Sequence, residues 1–333
     1  MSEQPAKPIN RILTDLTTVG TASCLLALSL AAICSNYPAE IVSFARLPLT
    51  LLAALLLAAL FPQHRKRCLI MLPVFVLNLA PLAPLATHPD STQAEKAAAN
   101  EVHNVTVLNF NADALNNKEY IAFAEQLDRK SPDIIALEGL SQPWITMMEH
   151  GLKGYPYSCK AIEEKGIALY SRLPITNSEI HRFGHNQHPR IIATLNVSNT
   201  PITVVVANPT GPKSSIDMEE RDAELDLIAK ELFDSKGPKM LVGDLNCTPW
   251  SGEMAHLQAA GVYDSEAGFG PQPSFPARTG RIIPKVDIPP VVPLDHILLS
   301  KHFTVTGRQA GPAIGSDHLP VTARTKLIVS HQN

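Results

Sequence analysis

The chain has 333 residues, 45% of them hydrophobic and 5% aromatic, with 28 Lys and Arg against 31 Asp and Glu and a net charge of −3. Residues 1–89 hold six of the basic residues and three of the acids, so the remainder carries −6. That remainder is long enough to bury a sizeable core, and it lacks the extended basic footprint of a non-specific nucleic-acid binder, although a local positive cleft stays open to it.

Three apolar runs open the chain: Leu16 to Cys34, Ile41 to Phe61 and Cys68 to Ala86, with Arg46 the only charge among them. Each approaches the ~20 residues that cross a bilayer core. Buried core helices or a cleaved signal peptide would give a similar signal. The loop charges favour about three transmembrane helices. Lys7 and Arg11 precede the first run, Ser35 to Glu40 has no Lys or Arg, and Gln63 to Arg67 is strongly basic. The positive-inside rule then places the N-terminus and the basic loop in the cytoplasm and everything after Ala86 outside it. The chain is thus expected to be an integral protein of the inner or plasma membrane. Arg46 is expected to snorkel to the outer interface, and Pro48, Pro73, Pro81 and Pro84 to kink or shorten the helices. The expected organisation is a membrane region over 1–86, a linker over 87–101 and a folded domain over 102–333.

Of five cysteines, only Cys159 and Cys247 fall in that domain. A disulfide between them is chemically allowed outside the cytoplasm. With no metal-type spacing, two unpaired thiols are expected.

Val102 to Phe110 alternates and is rich in β-formers, so it reads as a strand ending at Asn111. Lys118 to Arg129 has a helical pattern. Ile134 to Leu137 reads as a buried strand with Glu138 at its end, and Ile167 to Tyr170 as another strand. Ile191 to Val197 and Ile202 to Ala207 form a hairpin around Ser198-Asn199-Thr200. Asn208 to Pro212 is a rigid loop, and Ile216 to Phe233 an amphipathic helix. Met240 to Leu245, Ile297 to Leu299 and Val321 to Thr325 supply further strands. Strands alternating with helices indicate a layered α/β domain. His181, His185, His188 and Arg190 cluster in one stretch; a solvated loop is favoured there over a second metal or anion site. Trp144 and Trp250 are expected to pack.

The candidate chemistry centres on Leu241-Val242-Gly243-Asp244-Leu245-Asn246. On extended backbone Asp244 and Asn246 point to one face, where a carboxylate and an amide suit a hydrated cation, a water or a phosphate oxygen. Asn111, Glu138, Asp295 and Asp317 add oxygen donors at strand ends or in loops. A hard cation such as Mg²⁺ takes such ligands and neutralises phosphoryl oxygens. His318 is the natural proton-transfer group.

Taken in order, Val107-Leu108-Asn109-Phe110-Asn111, Pro132 to Glu138, Gly166 to Ile175, Gly243-Asp244-Leu245-Asn246, Leu294 to Ser300 and Gly315 to Val321 resemble the endonuclease/exonuclease/phosphatase superfamily. The resemblance covers roughly residues 104 to 326. It implies the deoxyribonuclease I-like fold, two mixed β-sheets packed as a sandwich flanked by helices. It also implies a membrane-anchored phosphoesterase that uses Mg²⁺ or Mn²⁺ on a nucleic acid, a phospholipid or a small phosphoester. By matching position, Asn111 and Asp317 help hold the metal, to which Glu138 is added if its strand end bulges, and Asp244 and Asn246 place water and phosphate. Asp295 orients His318, which acts as base or stabilises the transition state.

Two positions depart from the family pattern. The family reads Leu-Gln-Glu where this chain reads Leu137-Glu138-Gly139, so Glu138 serves the metal only if the strand end bulges, which Gly139 permits. The family's His-Pro is here Asn208-Pro209, and an amide cannot donate and recover a proton. Asn208 can still hydrogen-bond a phosphate oxygen. The alternative expectation is a pseudoenzyme of the same fold that binds a phosphorylated ligand or a protein partner at the cell surface.

Overall fold

The computed structural model describes residues 8–31, 36–61, 65–87, 101–149, 151–162, 165–278 and 288–329. The chain divides into two compact units, Met1–Ala83 and Pro84–Asn333. The central part of the expected linker, 88–100, lies outside the described residues.

The first unit is helical: α1 (Pro8–Ala31), α2 (Tyr37–Phe44), α3 (Arg46–Leu60) and α4 (Arg65–Leu79), followed by a 3₁₀ stretch, Ala80–Ala86. Three full-length spans are not what the described residues show. One helix, Cys68–Ala86, is long and apolar enough to cross a membrane. Ile41 to Phe61 is broken by a 57° bend between α2 and α3, a pair that passes the same test only if taken together. The cause is local. Pro48 has no N–H to bond the Phe44 carbonyl, and its ring clashes with that carbonyl in a continuous helix. The chain therefore turns at Ala45, whose N–H goes to Val42 O, and Leu49 N–H reaches back to Ala45 O. The apolar part of α1 spans Thr17–Leu30, and residues 32–35 of the first expected run lie outside the described residues. Arg46 does not snorkel. It is 2% exposed and donates from Nη1 to Leu77 O, because a charge among apolar helices is better solvated by their polar groups than by an apolar exterior.

Among the described residues of the second unit, twelve strands form two six-stranded sheets. The first runs β11-β12-β1-β2-β4-β3 and the second β5-β6-β7-β8-β10-β9. The strands are β1 (Glu101–Asn111), β2 (Ile134–Leu140), β3 (Tyr157–Ala161), β4 (Gly166–Ser171), β5 (Ile175–Phe183), β6 (His188–Val197), β7 (Thr200–Val206), β8 (Lys239–Asp244), β9 (Val262–Asp264), β10 (Asp295–Ser300), β11 (Phe303–Ala310) and β12 (Val321–Val329). Each sheet has one parallel pair, β1·β2 and β7·β8. Parallel neighbours need a crossover. α5 (Tyr120–Lys130) supplies it in the first sheet and α7 (Ser215–Asp234) in the second. α6 (Gln142–Met148) and α8 (Gly252–Ala259) complete the helical layers.

Strand alternation divides the core. Val105, Val107, Ile134, Ala136, Met240, Val242, Ile297 and Leu299 meet between the sheets. Leu108, Phe110, Ile135 and Leu137 pack with Phe123 and Trp144 beneath α5 and α6. Leu241, Leu245 and Leu298 pack with Leu225 and Ile228 beneath α7. Trp144 packs, as expected. Cys159 and Cys247 are free thiols, the first against the inter-sheet core and the second in the layer under α7.

Candidate active site

The inward face of each central strand ends in a polar residue at the same rim. Val105, Val107, Asn109 and Asn111 alternate on β1; Ile134, Ala136 and Glu138 on β2; Met240, Val242 and Asp244 on β8. β10 runs antiparallel to β8, so its first residue, Asp295, pairs with Asp244. The sandwich therefore closes its apolar core at one end with amides and carboxylates.

These groups link the two sheets. Asn111 Nδ2 donates to Asp244 Oδ2 at 2.9 Å, and Asn109 Nδ2 to Asp295 Oδ1 at 3.3 Å. His318 comes from the loop before β12. Its Nδ1 bonds Asp295 Oδ2 at 2.7 Å, and its Nε2 stands 3.6 Å from Asp244 Oδ2. Ser316 holds this loop in place: its hydroxyl donates to Asn111 O at 2.6 Å and accepts from His318 N at 3.0 Å. The Phe275 ring lies 5.0 Å from the imidazole, centroid to centroid. Asp295 is held at its own backbone by Ser274 Oγ and by Arg308 Nη2, which donates to its carbonyl at 3.0 Å.

Glu138 lies in the inward series, directly across β1·β2 from Asn111. Beyond Leu137 the pairing with β4 becomes irregular, and Gly139 takes φ +61°. Glu138 faces the site by plain alternation, in register with Asn111, and not by way of a bulge. Its side chain is 0% exposed, and neither carboxylate oxygen has a hydrogen-bond partner. Burial, with Asp295 and Asp244 alongside, pushes this carboxyl well above the usual carboxylate range, against the pull of His318. Burial also lifts Asp244 to about 6, with His318 the main opposing charge. Burial acts the other way on His318, but Asp295 and Asp244 outweigh it and raise the imidazole to about 10.

Asn246 takes φ +52°, and its N–H bonds Asp244 Oδ1 at 3.1 Å, the local turn that Asn and Asp favour. Its Nδ2 donates to Asn208 Oδ1 at 3.2 Å and to Pro209 O at 3.0 Å. Asn208 and Asn246 are thus brought together beside Asp244. Asp317 is buried beside His318, its charge adds to the rise there, and its carbonyl accepts from Ala277 N. Asn109, Ser316, Ser274 and Arg308 were not singled out from the sequence. Asn109 carried a signal, since it is two residues before Asn111.

The histidine stretch is not a loop throughout. His181 lies in β5, His188 and Arg190 in β6, and only 184–187 turn between them. His181 pairs with Glu179, His185 with Glu220, His188 with Thr210, and Arg190 with Glu231.

Among the described residues no three His, Cys, Asp or Glu side chains already stand as a ligand cluster. Mg²⁺, however, is bound through one or two carboxylates and keeps several waters. Three carboxyl groups, Glu138, Asp244 and Asp295, outnumber the one imidazole they face, and both Glu138 oxygens lack partners. A buried, unpaired carboxylate is costly, and a cation beside it removes that cost. The residues present fit the ion.

The sequence profile described as the Endonuclease/Exonuclease/phosphatase family matches residues 107–318. The chain belongs to this family. Solved structures agree on the fold. D. rerio TDP2, in complex with a single strand DNA product, is similar with a TM-score of 0.57 and 16% identity, over 67% of this chain and 98% of that one. An endonuclease/exonuclease/phosphatase family protein from Bacteroides thetaiotaomicron is similar with a TM-score of 0.54 and 17% identity, over 71% of this chain and 99% of that one. Among curated proteins none matches. The matched stretch contains all eight expected site residues, from Asn111 to His318.

Proposed function

We propose that the chain is a phosphoesterase dependent on a divalent cation, Mg²⁺ or Mn²⁺. The observation that carries this is the buried, partnerless Glu138 carboxylate beside the Asp295–His318 pair. Glu138, with Asn111 and Asp317, would hold the ion. Bound there, it neutralises charge on a phosphoryl oxygen. Asp244, raised to about 6, is a better proton acceptor than an ordinary carboxylate and takes a proton from the attacking water. The water oxygen bonds to phosphorus as the ester bond breaks. His318, held charged by Asp295, gives its Nε2 proton to the leaving oxygen. Asn208, whose Oδ1 accepts from Asn246, presents its own amide Nδ2 as a donor to a remaining phosphoryl oxygen. Purified full-length protein should hydrolyse bis(4-nitrophenyl) phosphate with Mg²⁺ or Mn²⁺. A wild-type rate in His318→Ala would refute this scheme.

One observation favours a second reading, a pseudoenzyme that binds a phosphorylated ligand or a protein partner. Asn208, where the family has an imidazole, is a hydrogen-bond partner of Asn246 and cannot shuttle a proton. This reading fails if the purified protein turns over a phosphodiester and Asp244→Ala abolishes the turnover. We also propose that the helices of residues 1–86 anchor the chain in a membrane with the catalytic unit outside the cytoplasm. The apolar Cys68–Ala86 helix and the basic residues Arg65, Lys66 and Arg67 support this. Protease digestion of sealed inside-out vesicles should leave the catalytic unit intact. Its loss would reverse the topology. A phospholipid or small phosphoester suits the acidic net charge better than a nucleic acid does.

A further inference from the structure

A second cavity lies on the opposite face of the first sheet from the site above. It has a volume of about 160 Å³ and forms where the last turn of α5 meets β1, β11 and β12. Its polar lining comes from Arg129, Lys130, Arg308, Arg324, Thr106, Thr322 and Gln309. The register explains the placement. Thr106 pairs with Arg324 and Leu108 with Thr322, on the helix-facing side, whereas Asn109 and Asn111 face the other way.

Arg129 and Lys130 close a helix, and a helix C-terminus favours basic residues without any ligand. Arg324 has no such explanation. It projects from a strand, and among the described residues its guanidinium has no hydrogen-bond or ion-pair partner. It lies against Gly307, at the irregularity in β11, where a Cβ would stand 2.7 Å from Nη2. The glycine therefore makes room for the guanidinium. Lys130 Nζ bonds a neutral group, Gln309 Oε1, at 2.8 Å. Arg129 has only Glu125 nearby, 4.0 Å away on the exposed helix surface. Arg308 is turned away, towards Glu266 and the Asp295 carbonyl. Asp133 binds the Thr106 N–H and is not part of the lining. Three cations and two hydroxyls thus converge on one cavity with no carboxylate in its wall.

We propose that this cavity binds a phosphate group, either as a free ion or on a lipid headgroup. Arg324 and Arg129 supply charged N–H donors to its oxygens, and the Thr106 and Thr322 hydroxyls complete the shell. The inference does not depend on the hydrolytic reading.

The test is calorimetric titration of inorganic phosphate into the full-length protein. Saturable binding is expected, weakened about tenfold or more by Arg324→Gln and by Arg129→Gln, as for the loss of a charge-assisted hydrogen bond. Absence of binding, or binding that both Arg324→Gln and Arg129→Gln leave unchanged, overturns the proposal. Arg324 is exposed, so its replacement should not unfold the chain, and the Arg129 variant provides an independent check. A water-soluble short-chain phosphatidic acid distinguishes the sources. Tighter binding than inorganic phosphate, with none for the matching phosphatidylcholine, marks a headgroup site, and equal binding marks a site for the free ion.

Discussion

Asn111 and Glu138 are direct partners across the parallel strands β1 and β2, and Gly139 stands against the Asn111 side chain. A Cβ on Gly139 would stand 2.5 Å from Asn111 Oδ1 in a backbone at φ +61°. The glycine that replaces the family's carboxylate is what allows the preceding Glu138 and Asn111 to lie side by side. Gly139→Ala should therefore cost about 1–3 kcal/mol of stability and weaken divalent-cation binding. Urea denaturation and calorimetry measure the two effects. An unchanged stability would mean that the backbone there tolerates a side chain.

Glu138→Gln should act in opposite directions with and without metal. In the metal-free protein it removes a buried carboxylate that has no partner, so it should stabilise by about 1–3 kcal/mol. With Mg²⁺ or Mn²⁺ the wild type should gain melting temperature and the variant should not. Thermal unfolding at several metal concentrations reads both. A wild-type Tm that ignores metal would remove Glu138 from the ion site.

His318 and Asp295 should behave as one unit. His318→Ala is expected to lower kcat by about 10²–10⁴-fold. Asp295→Ala should do nearly the same, since the imidazole loses the 2.7 Å partner that holds its charge and orientation. The double variant should be little slower than either single one. Multiplicative losses would show that the two act separately.

Stability should also fall as pH rises past a group remote from the site. Burial raises the Glu224 carboxyl to about 7, despite Arg190. A folded-state value above the unfolded one means that the protonated form is favoured on folding. The contribution is complete below about 4.5 and is lost as pH rises through about 7. Relative to Glu224→Gln, the wild type should lose up to about 3 kcal/mol between pH 4.5 and 7.5. Chemical denaturation across that range tests it. Parallel curves for the two proteins would show that Arg190 fully compensates the charge.

Period-two alternation was legible in the sequence, and it carried much of the site. It placed Asp244 in phase with Met240 and Val242, and it put Asn111 at the end of the first strand. The four edge strands β3, β5, β9 and β11 were missed, two of them, β3 and β9, being only five and three residues long. β5 is mostly exposed, so its residues are polar on both faces, and β11 is interrupted between Val305 and Gly307. Neither presents the pattern of a half-buried strand. In the helical unit, the apolar runs gave the composition of Ile41 to Phe61 but not the effect of one proline on its continuity.

By itself the sequence determined which residues could share a strand face, because that follows from backbone geometry within a few residues. Only the tertiary structure decided that the inward faces of β1, β2, β8 and β10 end at one rim. It also decided that Glu138 is left without a partner there, and that Arg324 meets α5 across Gly307. Those relations join residues far apart in the chain, 186 in the Asn109–Asp295 bond. They are fixed by the packing of two sheets and their helices, a contact that no local pattern encodes.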